Sequence, residues 1–202
     1  LSTNSENNSL YSDAKYYEAI CAIKLNQVDA EEKILSFVDN YSTSPKKNAA
    51  FFKVGNYYFE NKNLSKALKW FKKVDISQLT KAETKAFNFN MAYTLLASKK
   101  YDEAKQKYYS LLNDKKYGND SRYYYGFIAY KLEDYELAEE TLSKVTSDGN
   151  YDSKISYYLL DIYFKSGKFD ESIALGKTMI ESANRLEKSE ISKIIGESYF
   201  NN

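Results

Sequence analysis

Phe51-Phe52-Lys53-Val54-Gly55-Asn56-Tyr57-Tyr58, followed further on by Ala67-Leu68-Lys69-Trp70-Phe71, is the stretch whose reading decides the fold. Large apolar residues fall at 51, 54 and 58, with glycine at 55, and a small residue at 67 precedes a ring at 71. Spacings of three and four put each set on one face of an α-helix. Small residues on such faces let two helices cross closely, while large ones fill the grooves beside the crossing.

Working outward, the same pattern returns. An aromatic or leucine stands three residues before a small residue at Leu64 and Ala67, Tyr101 and Ala104, Tyr135 and Ala138, and Phe169 and Ser172. The small residues are 37, 34 and 34 positions apart. The longer step fits an enlarged loop around Ile76–Thr80. First-helix columns follow at Asn88, Met91, Ala92 and Leu95, at Arg122, Tyr125, Gly126 and Ala129, and at Ser156, Leu159, Leu160 and Tyr163. The first unit places Ala14, Tyr17, Glu18 and Cys21 inward, with Ala30, Ile34 and Phe37 on its second helix. A sixth unit begins at Ser192, Ile195, Gly196 and Tyr199 and stops. The helix pairs expected are 10–26 with 29–41, 46–61 with 64–74, 81–98 with 101–112, 121–132 with 135–143, and 153–165 with 169–181. A lone helix follows over 186–199.

Composition agrees with a helical array. Among 202 residues there is one proline, Pro45, and seven glycines, so little interrupts the helices. The 29 basic and 28 acidic residues leave a net charge of +1, which argues against a general phosphate-backbone binder. Only Arg122 and Arg185 supply guanidinium groups. The single cysteine, Cys21, excludes an internal disulfide, and there is no histidine. No apolar run reaches membrane-spanning length. The polar start, Leu1–Ser9, reads as a tether, without a visible signal peptide.

The period and columns resemble the tetratricopeptide repeat. Phe51, Val54, Gly55 and Tyr58 stand where that family has W-x2-L-G-x2-Y, and Ala67 and Phe71 where it has A-x3-F. The resemblance implies an all-α fold, a right-handed α-α superhelix of about five helix hairpins plus one terminal helix. Its repeats would be 11–44, 48–81, 85–118, 119–152 and 153–186, with a partial unit 189–202, forming a single array over 10–202. The family proline that closes each repeat is missing apart from Pro45. Asn40-Tyr41-Ser42-Thr43-Ser44-Pro45, leading into Ala49 and Gly55-Asn56-Tyr57-Tyr58, is similar to linkers of envelope tetratricopeptide proteins, including outer-membrane assembly lipoproteins. With 67–77 and the lysine-, asparagine- and tyrosine-rich composition, it also resembles long exported proteins of Bacteroidota. The implied location is periplasmic or cell envelope, with cytoplasmic as the alternative, and the chain would be part of a longer protein.

Signals for catalysis are absent. Without histidine, the usual general base and the commonest metal ligand are missing, so neither a cofactor nor a metal site is expected. Cys21 falls in an expected apolar column and reads as inert packing. Gly176-Lys177-Thr178 looks like the end of a phosphate loop, but Glu171 occupies the position of its first glycine and the segment is helical. Acidic pairs such as Glu31-Glu32, Glu139-Glu140 and Asp170-Glu171 suit helix starts facing solvent. Lys66, Lys69, Lys72 and Lys73 suit a solvated outer face. Asn40, Asn63 and Asn119 open weak glycosylation sequons.

The informative surplus is aromatic: 21 tyrosines and 11 phenylalanines exceed what the packing columns consume. The resemblance implies that first helices line a concave face. Their off-column residues begin with Phe52, Asn56 and Phe59, then Phe89, Asn90, Tyr93 and Leu96. In the later units they are Tyr123, Tyr124, Phe127 and Tyr130, and Tyr157, Tyr158, Asp161 and Phe164. Either these rings pack between neighbouring first helices, or they form a groove for another protein or peptide, since tyrosine offers apolar area and a hydroxyl at low entropic cost. Asn56 and Asn90 match the family's carboxylate clamp for chaperone tails. Phe52 replaces its lysine, and Asp120 and Tyr124 replace its basic residues, so the clamp is broken. The expectation is a non-enzymatic interaction scaffold whose partner is a protein, a peptide or other repeats of the parent chain. A structural spacer is the alternative. Nucleic-acid binding and a direct membrane span are not expected, while weak self-association through an unfinished C-terminal edge is.

Overall fold

A computed structural model describes residues 3–146 and 151–202. Among these it has eleven α-helices and no strand. They are α1 (Thr3–Lys24), α2 (Ala30–Asn40), α3 (Lys46–Glu60), α4 (Leu64–Phe71), α5 (Lys81–Ala97) and α6 (Tyr101–Tyr109). Then come α7 (Gly118–Lys131), α8 (Tyr135–Leu142), α9 (Asp152–Lys165), α10 (Phe169–Ser182) and α11 (Arg185–Asn201). A short 3-10 turn at Ile76–Gln78 fills the enlarged loop. The chain divides into two compact units, 1–107 and 108–202. Helix α1 starts at Thr3, inside the segment expected as a tether; residues 1 and 2 of that segment lie outside the described residues.

Each first helix turns into the second by the same backbone device. Asn26, Lys62, Lys99, Glu133 and Gly167 all have positive φ, between 53° and 71°. The next residue's N–H returns to a carbonyl five positions back: Gln27 to Ala22, Asn63 to Tyr58, Lys100 to Leu95, Asp134 to Ala129, and Lys168 to Tyr163, all at 2.8–3.0 Å. This left-handed C-cap satisfies carbonyls that the helix end would otherwise orphan. Asn63 and Asp134 then cap the second helices, accepting from the N–H groups of Lys66 and Leu137.

The small-residue column is where the sequence put it. Ala67, Ala104, Ala138 and Ser172 are fully buried. Gly126 lies so close to Leu142 that an added Cβ would stand 2.7 Å from its Cγ. A further column escaped the sequence reading: Thr94, Ile128 and Ile162 are fully buried, and they too are 34 residues apart.

Two registers need correction. In α1 the inward residues are Ser12, Tyr16, Ala19, Ile20 and Ile23, while Ala14, Tyr17, Glu18 and Cys21 are exposed. A two-residue slip turns a helix by roughly 200°, so the expected inner face is the outer one. Cys21 is therefore a surface thiol rather than packing. In α11 the slip is one residue: Ile191 and Ser198 are buried, whereas Gly196 and Tyr199 are exposed. Ile195 lies over Gly176, and the Ser198 hydroxyl donates to that of Ser172 at 3.0 Å in the α10–α11 crossing.

The acidic pairs also do more than face solvent. Glu31 accepts from the Tyr58 hydroxyl and pairs with Lys66 at 2.9 Å, linking α2 to the next hairpin. Glu139 pairs with Lys168 at 2.7 Å, linking α8 to the start of α10. The sequon asparagines are structural: Asn40 donates to Ser36, Asn63 caps α4, and Asn119 holds a loop while Ser121 is fully buried.

Candidate protein-binding surfaces on the first helices

In the first unit, α1, α3 and α5 present the first-helix side. The Asn90 amide donates to the Asn56 amide oxygen at 2.9 Å, directly joining α5 to α3. Beside it Phe59 and Tyr93 meet edge to face, with ring centroids 5.6 Å apart. Asn56, Phe59, Phe89, Asn90 and Tyr93 are half-buried. Phe52 is not on this surface: it is 6% exposed and packs on Phe87 in the core. A pocket of about 280 Å³ opens between α1 and α3, walled by Ile20, Ile23, Lys24, Lys53, Asn56, Tyr57 and Glu60.

In the second unit, α7 and α9 carry an aromatic cluster. Tyr158 packs against Phe127 at 5.4 Å and Tyr130 at 5.1 Å between centroids. Tyr123 stacks on Tyr151 at 4.0 Å, and Tyr124 meets both rings at their edges. Tyr123 is 6% exposed and belongs to the core, which removes it from the expected surface. Tyr124, Phe127, Tyr130 and Tyr158 are half-buried and stay available on one side. Phe164 stands apart, packed on Phe169 at the α9–α10 turn. Tyr157 is half-buried, with its hydroxyl turned inside.

Polar groups are woven among these rings. The Tyr130 hydroxyl donates to Asp161 at 2.7 Å, and Lys165 pairs with the same carboxylate at 2.9 Å. Burial first, then the Asp161 bond, pushes the Tyr130 phenol up to about 12. Burial likewise raises Tyr123 and Tyr151, the latter also donating to Asp120 at 2.9 Å. Lys131 lies over Phe127 and Tyr130, and Lys165 over Tyr130 and Tyr135, each 5.4–5.7 Å from the centroids. Tyr151, central to the cluster, escaped the sequence reading because it precedes α9. Its distance of 31 residues from Asp120 matches that of Asp161 from Tyr130, and this shared spacing was the signal available.

No group of three or more metal-ligating side chains gathers among the described residues. No described helix is long and apolar enough to cross a membrane. The arrangement can offer flat apolar rings, hydroxyls and side-chain amides to another chain.

Comparison with known proteins agrees with the fold. Residues 126–185 match the family model of the tetratricopeptide repeat. Among curated protein sequences, none matches this chain. Solved structures with the same fold include MamA from strain AMB-1, with TM-score 0.63 and 17% identity over 76% of this chain and 81% of MamA. A tetratricopeptide repeat protein from Parabacteroides merdae has TM-score 0.62 and 19% identity, covering 93% of this chain and 73% of its own. PilF of Pseudomonas aeruginosa has TM-score 0.56 and 15% identity over 90% and 81%. Residues 126–185 thus match the tetratricopeptide repeat in sequence, and the chain shares the all-helical fold of these solved tetratricopeptide-repeat structures.

Proposed function

We propose that the chain is a non-enzymatic interaction scaffold that binds a peptide, a helix or a neighbouring domain on its first-helix surfaces. The observation carrying this reading is the half-exposed group Tyr124, Phe127, Tyr130 and Tyr158 on α7 and α9, where rings gather beyond what the hairpin core uses. Aromatic anchors of this kind commonly dominate interface energy. In the first unit, the Asn56–Asn90 pair leaves one amide nitrogen and one amide oxygen to meet the backbone of an extended peptide. Repeats bounded near 11–44, 48–81, 85–118, 119–152 and 153–186, within one array over 10–202, belong to this proposal. So does an envelope location, motivated by the 40–45 linker and tested by fractionating cells that carry the tagged parent protein.

A spacer reading is favoured by one observation: the same rings touch one another, as Phe127 and Tyr158 do. Capture of partners by the protein and by its Phe127→Ala and Tyr124→Ala variants separates the two. Binding should weaken while the melt changes little. Unchanged capture by both variants, with lowered melting temperatures, would make the rings core and the array a spacer.

A further inference from the structure

On the opposite side of α7 from Phe127 and Tyr124, the second unit has a pocket that the scaffold reading does not use. It holds about 440 Å³ and lies where the end of α6, the start of α7 and the length of α8 meet. Its apolar wall is Tyr109, Leu112, Tyr125 and Leu137. Its polar wall is Asn113, Arg122, Glu140, Thr141 and Lys144. Tyr125 and Thr141 are buried, whereas Tyr109 is 67% exposed and leans over Tyr125 with ring centroids 6.0 Å apart.

Arg122 is the unusual group. It is one of two arginines in a chain whose other basic residues are lysines. It stands at the position of a large packing residue in the repeat, and it is half-buried rather than extended into solvent. Among the described residues no carboxylate forms an ion pair with it. The one acid in the pocket wall, Glu140, is engaged by Lys144 at 2.6 Å. A guanidinium drawn partly out of water without a counter-charge is costly, and its planar fork matches a carboxylate. A pocket with an apolar wall and few convergent polar groups is the usual form of a small-ligand subsite.

We propose that this pocket binds a peptide carboxylate that sits beside an apolar side chain. Arg122 takes the carboxylate, with Asn113 as an auxiliary donor, and Tyr109, Leu112 and Leu137 take the side chain. The carboxylate can come from a chain terminus or from an acidic side chain next to an apolar residue. The site is separate from the aromatic surface of α7 and α9, so either can fail alone.

The test is an NMR titration of the whole chain with N-acetyl-leucine, N-acetyl-aspartyl-leucinamide and N-acetyl-leucinamide. Saturable shifts are expected at the Arg122 Nε–H and at the amides of Tyr125 and Leu137, with one or both carboxylates and not with the neutral amide. Response to N-acetyl-leucine alone assigns a terminal carboxylate; response to the aspartyl compound admits an internal one. Arg122→Gln should weaken binding about tenfold or more, in keeping with a lost charge-assisted hydrogen bond. Tyr109→Ala, at an exposed position, should also weaken it, while Arg185→Gln and Phe127→Ala should not. No shifts with either carboxylate, equal shifts with the neutral amide, or equal binding by Arg122→Gln and Arg185→Gln would overturn the proposal.

Discussion

Asn90 and Asn56, 34 residues apart on neighbouring first helices, are hydrogen-bonded to each other at 2.9 Å. Both stand at positions that match two asparagines of the broken carboxylate clamp, and the pair first serves to join α5 to α3. A neutral hydrogen bond of this kind stabilises by about 1 kcal/mol net. A double-mutant cycle of Asn56→Ala and Asn90→Ala, followed by chemical denaturation, should give a coupling of about that size. Additive losses would mean that the two amides do not meet in solution.

The repeated turn supplies a pair of predictions of opposite sign. Glu133 has φ 61°, a conformation that strains a residue with a side chain, while Gly167 occupies the equivalent turn at φ 71°. Glu133→Gly should stabilise the chain by up to about 1 kcal/mol, since relief of strain outweighs the greater entropy of an unfolded glycine. Gly167→Ala should destabilise by about 1 kcal/mol. An added Cβ at 167 meets nothing within 4 Å, so the loss would be purely conformational. Melts that move in the same direction for both variants would contradict this.

At the hairpin crossing the limit is space. Ala138 is fully buried between α7 and α8, while Glu136 on the same helix is exposed. Ala138→Leu should cost about 1–3 kcal/mol through overpacking. Glu136→Leu should stay within about 0.5 kcal/mol as the surface control. Equal melting temperatures for the two variants would refute the assignment of the small-residue column.

How much of this was legible follows from where the signal resides. The columns of α3 to α10 were readable because a small residue opposite a large one recurs in phase, as at Ala67, Ala138 and Ser172. The α1 register was not, since Tyr16, Ala19, Ile20 and Ile23 compete with Ala14, Tyr17, Glu18 and Cys21, a set of the same spacing two residues earlier in which only Glu18 is charged. In α11 the true small partner of Ser172 is Ser198; Gly196 drew the register away by resembling the expected glycine. The left-handed turns left no mark because four of the five lack glycine. For the surface, phase located the first-helix rings but could not separate Tyr123, in the core, from Phe127, at its edge. They are neighbours on one face, and the difference is made by Tyr151, which covers one of them.

Alkaline pH should unfold the second unit through its tyrosines. Burial raises the phenols of Tyr123 and Tyr151 and lifts that of Tyr130 to about 12. A raised folded value means that the neutral phenol is favoured in the folded state. The associated stability is whole below the unfolded value of about 10 and is lost as pH rises through the folded one. Phenolate absorbance should therefore rise in two stages, the later one coinciding with loss of helical circular dichroism. Tyr151→Phe should reduce the later stage. A single early stage with helicity retained would show these rings to be open to solvent.

Two asparagines provide the last prediction, because they perform one task in both units. Asn48, near the start of α3, accepts from the Asp75 N–H at 2.7 Å and donates to the Asp75 carbonyl at 2.9 Å. Asn119, near the start of α7, does the same to Thr146, at 2.8 and 3.2 Å. Each side-chain amide thus pairs with both the backbone N–H and the carbonyl of the residue 27 positions later, pinning the loop that leaves the second helix to the first helix of its own hairpin. Asn48 is buried, so its loss leaves a backbone donor and acceptor without their partner, at a cost of about 1–3 kcal/mol. Asn48→Ala should lower stability by that amount, and Asn48→Asp should do no better, since a carboxylate cannot donate to the Asp75 carbonyl. Asn119→Ala should cost less, its bonds being closer to solvent. Hydrogen exchange at the amides of Asp75 and Thr146 locates the effect: each should speed up in its own variant and remain slow in the other. Fast exchange at both sites in the unmodified protein would mean that neither loop is held.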